Sequence, residues 1–299
     1  MKLIISADDL GRSQAVTDNI FSCFNGVLSS TSIMANGDDY DRAIAVFRRD
    51  FIHHRLSIHL NLTEGRACLP AEAIPNLVDA DGYFRHSFFS LLVAYYRGSP
   101  AKRRVISAQV ESEIKAQIDK VCREIGNTAG INVDGHQHIH TLPFVFHALL
   151  KIGKTLPIDY VRLPREKFFL LFNRSTMFNY LGPNLIKHVL LNFLSSRCAR
   201  FLRQHSIACN DYFIGVLFTG NMSLASIKKA IAAIKDDNDN MTVEILLHPG
   251  GSREDEATYW KKHPGFRAYY LSDNREKERA LLQSGELSDL TDAYTAPER

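Results

Sequence analysis

The stretch Leu3-Ile4-Ile5-Ser6-Ala7-Asp8-Asp9 runs from a short apolar segment straight into two adjacent carboxylates. Short apolar runs of this kind recur at Ser32 to Ala35, Leu56 to Leu62, Ile131 to Val133, Tyr160 to Leu163, Phe213 to Phe218 and Val243 to Leu247. Their lengths suit buried strands. Between them, Gln14 to Phe24, Tyr40 to Arg48, Val105 to Ile125, Phe144 to Lys154 and Leu224 to Lys235 carry apolar residues at helical spacing. Strand–helix alternation of this sort builds a mostly parallel sheet covered by helices. The expected fold is therefore α/β, a deformed (β/α) barrel of about seven or eight mostly parallel strands.

Polar chemistry follows the apolar runs in a regular way. Asp8 and Asp9, Asn36, His59 and Asn61, the segment Asp134 to His140, Arg162 and His248 each fall at or just past the C-terminal end of an expected strand. In a βα barrel those ends share one mouth, where active sites are built. The alignment of these clusters is the main argument for an enzyme.

The chain has 299 residues, 45% of them hydrophobic, enough for a large core. No linker or repeat divides it, so residues 1–299 are expected to form one domain, with an apolar helical insertion at about 166–204. A net charge of +3 is too mild to argue for nucleic acid. The N-terminal run leaves no room for a signal peptide, which gives the expectation of a cytoplasmic protein. Five cysteines, Cys23, Cys68, Cys122, Cys198 and Cys209, lack metal-site spacing and read as free thiols.

Each candidate has a plainer alternative. In an extended strand Asp8 and Asp9 would point to opposite faces, so both serve one site only if the backbone curls there; otherwise one of them caps the next helix. His59 and Asn61 alternate with Ile58, Leu60 and Leu62 and so share a face. A single histidine at such a place is more often a hydrogen-bonded core residue than a ligand. In Asp134-Gly135-His136-Gln137-His138-Ile139-His140, three histidines at alternate positions follow an acid, a density rarely structural. Without cysteine ligands, a His and Asp site suits one divalent cation, Zn²⁺ or Mg²⁺ foremost, with Mn²⁺ and Ni²⁺ also accommodated. His248 precedes Pro249-Gly250-Gly251, which ends its strand and holds the imidazole at the rim. Arg162 either orients a carboxylate or an anionic substrate group, or forms a surface ion pair.

Ser6-Ala7-Asp8-Asp9-Leu10-Gly11, Thr31 to Gly37, His59 to Gly65, Asp134 to His140, Arg162 to Glu166 and His248-Pro249-Gly250 resemble, in order, the signature segments of the YdjC-like carbohydrate deacetylases. Asp211 to Gly215 with Thr219-Gly220 is similar to the hopanoid-associated branch rather than the chitooligosaccharide one. The resemblance implies one metal on Asp9, His59 and His136, Asp8 as catalytic base and His248 as general acid. It further implies Asp134 and Arg162 as orienting partners, with Asn36, Asn61, His138 and His140 in supporting or substrate-binding places. The implied reaction removes an N-acetyl group from an amino sugar, free, nucleotide-linked or lipid-linked, with a charged His248 and hence a bell-shaped pH profile. Two rival classes are a metal-dependent phosphoesterase, in which His138 and His140 would help hold further metals, and a non-catalytic sugar-binding barrel.

The segment from Phe168 to Gln204 is the least barrel-like. Phe168 to Phe172 and Leu185 to Leu194 are strongly apolar, with Arg197, Arg200 and Arg203 after them. Neither run reaches the ~18 apolar residues of a spanning helix. A buried hairpin over the barrel mouth or a homodimer surface is one expectation. A contact with the inner membrane surface or a lipid-linked substrate is the other.

Overall fold

A computed structural model describes all residues except 127–129, 172–179, 181–182, 235–239, 254–255, 257–263 and 296–299. Seven strands form one parallel sheet: β1 (Lys2–Leu10), β2 (Ser30–Ile33), β3 (Arg55–Leu60), β4 (Ile131–Gly135), β5 (Ile158–Val161), β6 (Tyr212–Ile214) and β7 (Thr242–Leu247). Their order is β5-β4-β3-β2-β1-β7-β6. Each expected apolar run thus became a strand, and the strands are largely buried, as parallel strands are. The sheet curls until its edges meet. Ala208, just before β6, bridges to Tyr160 of β5. Val161 N–H donates to Ala208 O at 2.9 Å, and Ala208 N–H to Asp159 O at 3.0 Å. The expected deformed barrel is the observed architecture.

The helices are α1 (Gln14–Phe21), α2 (Tyr40–Asp50), α3 (Phe88–Arg97), α4 (Pro100–Ile125), α5 (Pro143–Ile152), α6 (Pro183–Gln204), α7 (Leu224–Ile234), α8 (Pro264–Tyr270), α9 (Asn274–Leu282) and α10 (Gly285–Thr295). Sequence patterning located α1, α2, α4, α5 and α7 and overlooked α3 and the three C-terminal helices. Lys235, expected to end α7, lies outside the described residues. β6 is shorter than its apolar run. Gly215 departs from strand geometry at φ 148°, and the following amides turn towards Glu166.

Two backbone details set the mouth of the barrel. β1 bulges after Ala7, and Asp9 adopts φ 75°, a left-handed conformation costly for a residue with a Cβ. This is the curl that brings adjacent carboxylates into one site. At Gly37 a Cβ would come within 2.0 Å of Gly11 O, so only glycine lets the chain after β2 cross the end of β1.

Of the expected insertion, α6 packs Leu191, Leu194, Cys198 and Leu202 inward and leaves Ile186, Val189, Phe193 and Phe201 exposed. Phe172, which closes the first apolar run, lies outside the described residues. Among the described residues no helix is long and apolar enough to cross a membrane. The segment before α6 is clamped by Glu166, whose buried carboxylate accepts N–H bonds from Gly215 at 2.7 Å, Val216 at 3.2 Å and Leu217 at 2.7 Å. Glu166→Ala would orphan three donors at about 1–3 kcal/mol each, less what water recovers. Urea unfolding should show a loss on the order of 3 kcal/mol; an unchanged midpoint would refute the clamp.

Candidate metal centre and catalytic cavity

β1, β3 and the end of β4 deliver Asp8, Asp9, His59 and His136 to one cavity of about 510 Å³, which His138, Lys187 and His248 also line, with Asp134 of β4 behind His59. Asp8, Asp9, His59, Asp134 and His136 are all buried. Ligand atoms of Asp9, His59 and His136 lie within 4.8 Å of one another. His136 Nδ1 is 3.0 Å and His59 Nε2 3.4 Å from Asp9 Oδ1. Each imidazole is fixed from behind by another carboxylate: His59 Nδ1 by Asp134 Oδ1 at 2.6 Å, His136 Nε2 by Glu64 Oε2 at 2.7 Å. A carboxylate on the far nitrogen is the usual means of setting the tautomer of a metal-binding histidine. The donor set fits a divalent cation.

A second cluster, Asp8, His59 and Asp134, also has ligand atoms within 4.8 Å. Its positive charge is already supplied by Arg162, which is only 1% exposed. Arg162 Nη1 donates to both Asp8 oxygens at 2.8 and 2.7 Å and lies 3.0 Å from Asp134 Oδ2, while Nε donates to Glu244 Oε1 at 2.7 Å. Glu244 also accepts from Tyr160 OH at 2.8 Å and Ser6 Oγ at 2.7 Å. The surface-pair alternative for Arg162 does not hold; its guanidinium is buried behind Asp8, whose carboxylate lines the cavity.

The three histidines after Asp134 do not share a face. Gln137 and His138 take φ of 54° and 62°, so the alternation expected of an extended segment breaks there. His136 alone turns to Asp9. His140 Nε2 lies 2.7 Å from Arg162 O, and its Nδ1 sits where a Cβ on Gly135 would come within 2.7 Å. His138 lines the cavity with its Nδ1 buried and unbonded, its ring edge-on to Phe213 at 5.4 Å. The packing that separates these histidines is three-dimensional and leaves no mark on their spacing.

Asn61 and Asn36 shape the turn that carries Glu64. Asn61 Oδ1 accepts from Thr63 N–H at 3.0 Å and Glu64 N–H at 3.1 Å, and its Nδ2 donates to Asn36 Oδ1 at 3.1 Å. Asn36 Nδ2 donates to Glu64 O at 3.0 Å. Glu64 is also held by Arg12 Nε at 2.9 Å, whose guanidinium lies 3.5 Å over the Tyr270 ring, and Tyr270 OH donates to Asp9 Oδ2 at 3.0 Å. Sequence reasoning assigned no role to Glu64, Arg12, Glu244 or Tyr270. Glu244 could have been noticed as a lone acid inside an apolar strand, whereas Tyr270 gave no signal.

Burial opposes ionisation throughout, and neighbouring charges decide the outcome. Burial works against Asp8, but Arg162, His59 and His248 outweigh it and hold the carboxyl below its usual range. For Asp9, His136 and His59 likewise prevail. Burial and the nearby Asp8 push Asp134 up despite Arg162. His59 is lifted to about 10 and His136 to about 9, burial being overcome by Asp8 and Asp134 for the first and by Asp9 and Glu64 for the second. His248 goes the other way, pressed down to about 4 by burial, with Asp9 opposing and Arg275 assisting.

The chain matches the YdjC-like protein family over residues 2–293 and belongs to it. It is 26% identical over 273 residues to a carbohydrate deacetylase of Danio rerio, a match covering 84% of this chain and 82% of that protein. It is 27% identical over 220 residues to a chitooligosaccharide deacetylase of Yersinia pestis, covering 71% of this chain and 82% of that one. Among solved structures, a candidate cellobiose-phosphate cleavage protein of Enterococcus faecalis superposes with a TM-score of 0.67 at 21% identity, covering 98% of this chain and 94% of its own. That last likeness is one of fold.

The raised histidines fix the sign of a pH effect. Their charge stabilises the metal-free chain fully below about pH 6.5, the unfolded value, and that stabilisation is lost as pH rises through about 9–10. A cation bound by the imidazoles must displace their protons. Calorimetry in buffers of different ionisation heat at pH 7.5 should therefore find about two protons released per Zn²⁺ bound, with affinity rising towards pH 9. Binding with no proton release would mean these histidines are not the ligands.

Proposed function

We propose that the chain is a metal-dependent hydrolase that removes the acetyl group from an N-acetylated amino sugar, releasing acetate. The observation that carries this reading is the pairing of one His₂Asp ligand set with a separate, Arg-held carboxylate and a neutral histidine on the same cavity. Membership of the YdjC-like family and the names of the deacetylase relatives support it.

A divalent cation on Asp9, His59 and His136 would polarise the acetyl carbonyl and acidify a water molecule. Asp8 is the group left to take that water's proton. Arg162 and the Ser32 hydroxyl, 2.8 Å from Asp8 Oδ1, hold the carboxylate in one orientation and keep it ionised. The departing amine needs a proton, and His248 is the group placed to give it. Burial favours the neutral form of His248 in the resting chain, so we read its acid role as one it takes up during turnover. His248 would take a proton from solvent as negative charge develops on the amide, helped by Asp9 and Asp8, and pass it to the amine, while Asp8 returns the water's proton to solvent as acetate leaves. Tyr269, edge-on to His248 at 5.7 Å, and Phe266 wall this side of the cavity.

The phosphoesterase alternative called for further metals drawn to His138 and His140. His140 is spent on Arg162 O, and the Asp8–Asp134 pair already holds a guanidinium. Both facts weigh for a single-metal amidohydrolase.

Acetate release from N-acetylglucosamine and its short oligomers should be measured with Zn²⁺-reconstituted chain beside Asp8→Asn and His59→Ala. Loss of the base is expected to lower kcat about 10²- to 10⁴-fold, and His59→Ala or chelation to abolish turnover. Phosphate-ester hydrolysis without acetate release would sink the proposal.

A further inference from the structure

Tyr269 stands on the cavity wall beside His248 and is fixed there from several sides. The Arg275 guanidinium lies 4.4 Å over its ring, and Tyr270 packs edge-on at 5.2 Å. Gly220, in the loop after β6, comes so close that a Cβ there would lie 2.9 Å from Tyr269 Cε2.

Arg275, on α9, is only 2% exposed and is itself held in place. Its Nη2 donates to Glu278 Oε1 at 3.0 Å and its Nη1 to His248 O at 3.1 Å. The same Nη1 donates to Tyr269 OH at 3.0 Å. A guanidinium can only donate, so the phenol oxygen is the acceptor and the phenol hydrogen remains to be placed. Among the described residues no group accepts it. Tyr270, one residue on, directs its own hydroxyl to Asp9 Oδ2 at 3.0 Å. Burial pushes the Tyr269 phenol above its usual range against Arg275, with Glu278, Asp9 and Asp8 adding to the rise, so it keeps its hydrogen at neutral pH. A phenol with a cation bonded to its oxygen is a strengthened donor.

We infer that Tyr269 donates a hydrogen bond to the acetyl oxygen of the substrate, one that tightens as that oxygen gains negative charge. The inference rests on the deacetylase reading and adds to it a catalytic residue from the C-terminal helices. The nitrogen and oxygen of an acetamide share one carbon, so a donor beside the acid that serves the nitrogen is well placed for the oxygen. The phenol keeps its proton throughout. Its rigid support means that little reorganisation is needed when the charge develops, which is the condition under which such donors are effective.

Acetohydroxamate carries the acetyl group on a metal-binding anion. Its affinity should be measured by calorimetry for wild type and Tyr269→Phe, a change that removes one oxygen and keeps the ring, both loaded to the same Zn²⁺ content. Affinity is expected to fall about 10- to 100-fold. In acetate release from N-acetylglucosamine oligomers, the same change is expected to lower kcat about 10²- to 10³-fold with KM little altered. Equal affinity of the two chains for acetohydroxamate overturns the donor even if acetate is released, and so does an unchanged kcat or a rise in KM alone. Weakened acetohydroxamate binding with no acetate released by wild type from any acetylated sugar leaves the donor standing and removes the deacetylase reading instead.

Discussion

Arg162 is the interaction on which the rest of the site depends. Its guanidinium, delivered from the end of β5, touches Asp8 from β1, Asp134 from β4 and Glu244 from β7. Those strands lie on both sides of the sheet's centre, so one buried cation draws the curled sheet together at the mouth. Removing a partner from such a buried pair typically costs about 3–5 kcal/mol. The grip of Arg162 Nη1 on both Asp8 oxygens also separates the carboxylate proposed to take a proton from the one proposed to bind a metal. Asp8 and Asp9 are neighbours in sequence, yet the left-handed turn at Asp9 sends one to a guanidinium and the other to two imidazoles.

The two imidazoles repeat that logic. Asp134 fixes His59 and Glu64 fixes His136, leaving one nitrogen of each directed at Asp9 Oδ1. Five buried carboxylates, Asp8, Asp9, Glu64, Asp134 and Glu244, meet two buried arginines, Arg12 and Arg162. In a low dielectric the surplus of negative charge draws in protons or a divalent cation. This is why the pKa values of His59 and His136 are raised, whereas at His248 burial, assisted by Arg275, outweighs the pull of Asp9 and Asp8.

Strand positions were legible because parallel strands buried on both faces leave compact apolar runs, and the polar residues after them marked the mouth. Asp9, His59 and His136 were legible through those motifs, and the structure brings all three together. Glu64 was hidden because its role depends on a turn built by Asn61 and Asn36, side-chain bonds that no periodicity reveals. Tyr270 and Tyr269 were hidden for a different reason. They reach the cavity from α8, far along the chain, and exposed and buried tyrosines look alike in a sequence. Lys187 illustrates the limit most clearly: within the apolar run Leu185 to Leu194 it reads as an interruption, and only the fold turns it towards the cavity.

The central claim is that this cavity takes one metal, on Asp9, His59 and His136, with Arg162 serving where a second would otherwise sit. Anomalous diffraction from crystals of the Zn²⁺-loaded chain, with metal content counted per chain, tests it directly. One ion per chain, placed between Asp9, His59 and His136, is the result the account predicts. Two ions per chain, or a single ion between Asp8 and Asp134 with Arg162 displaced, would contradict it.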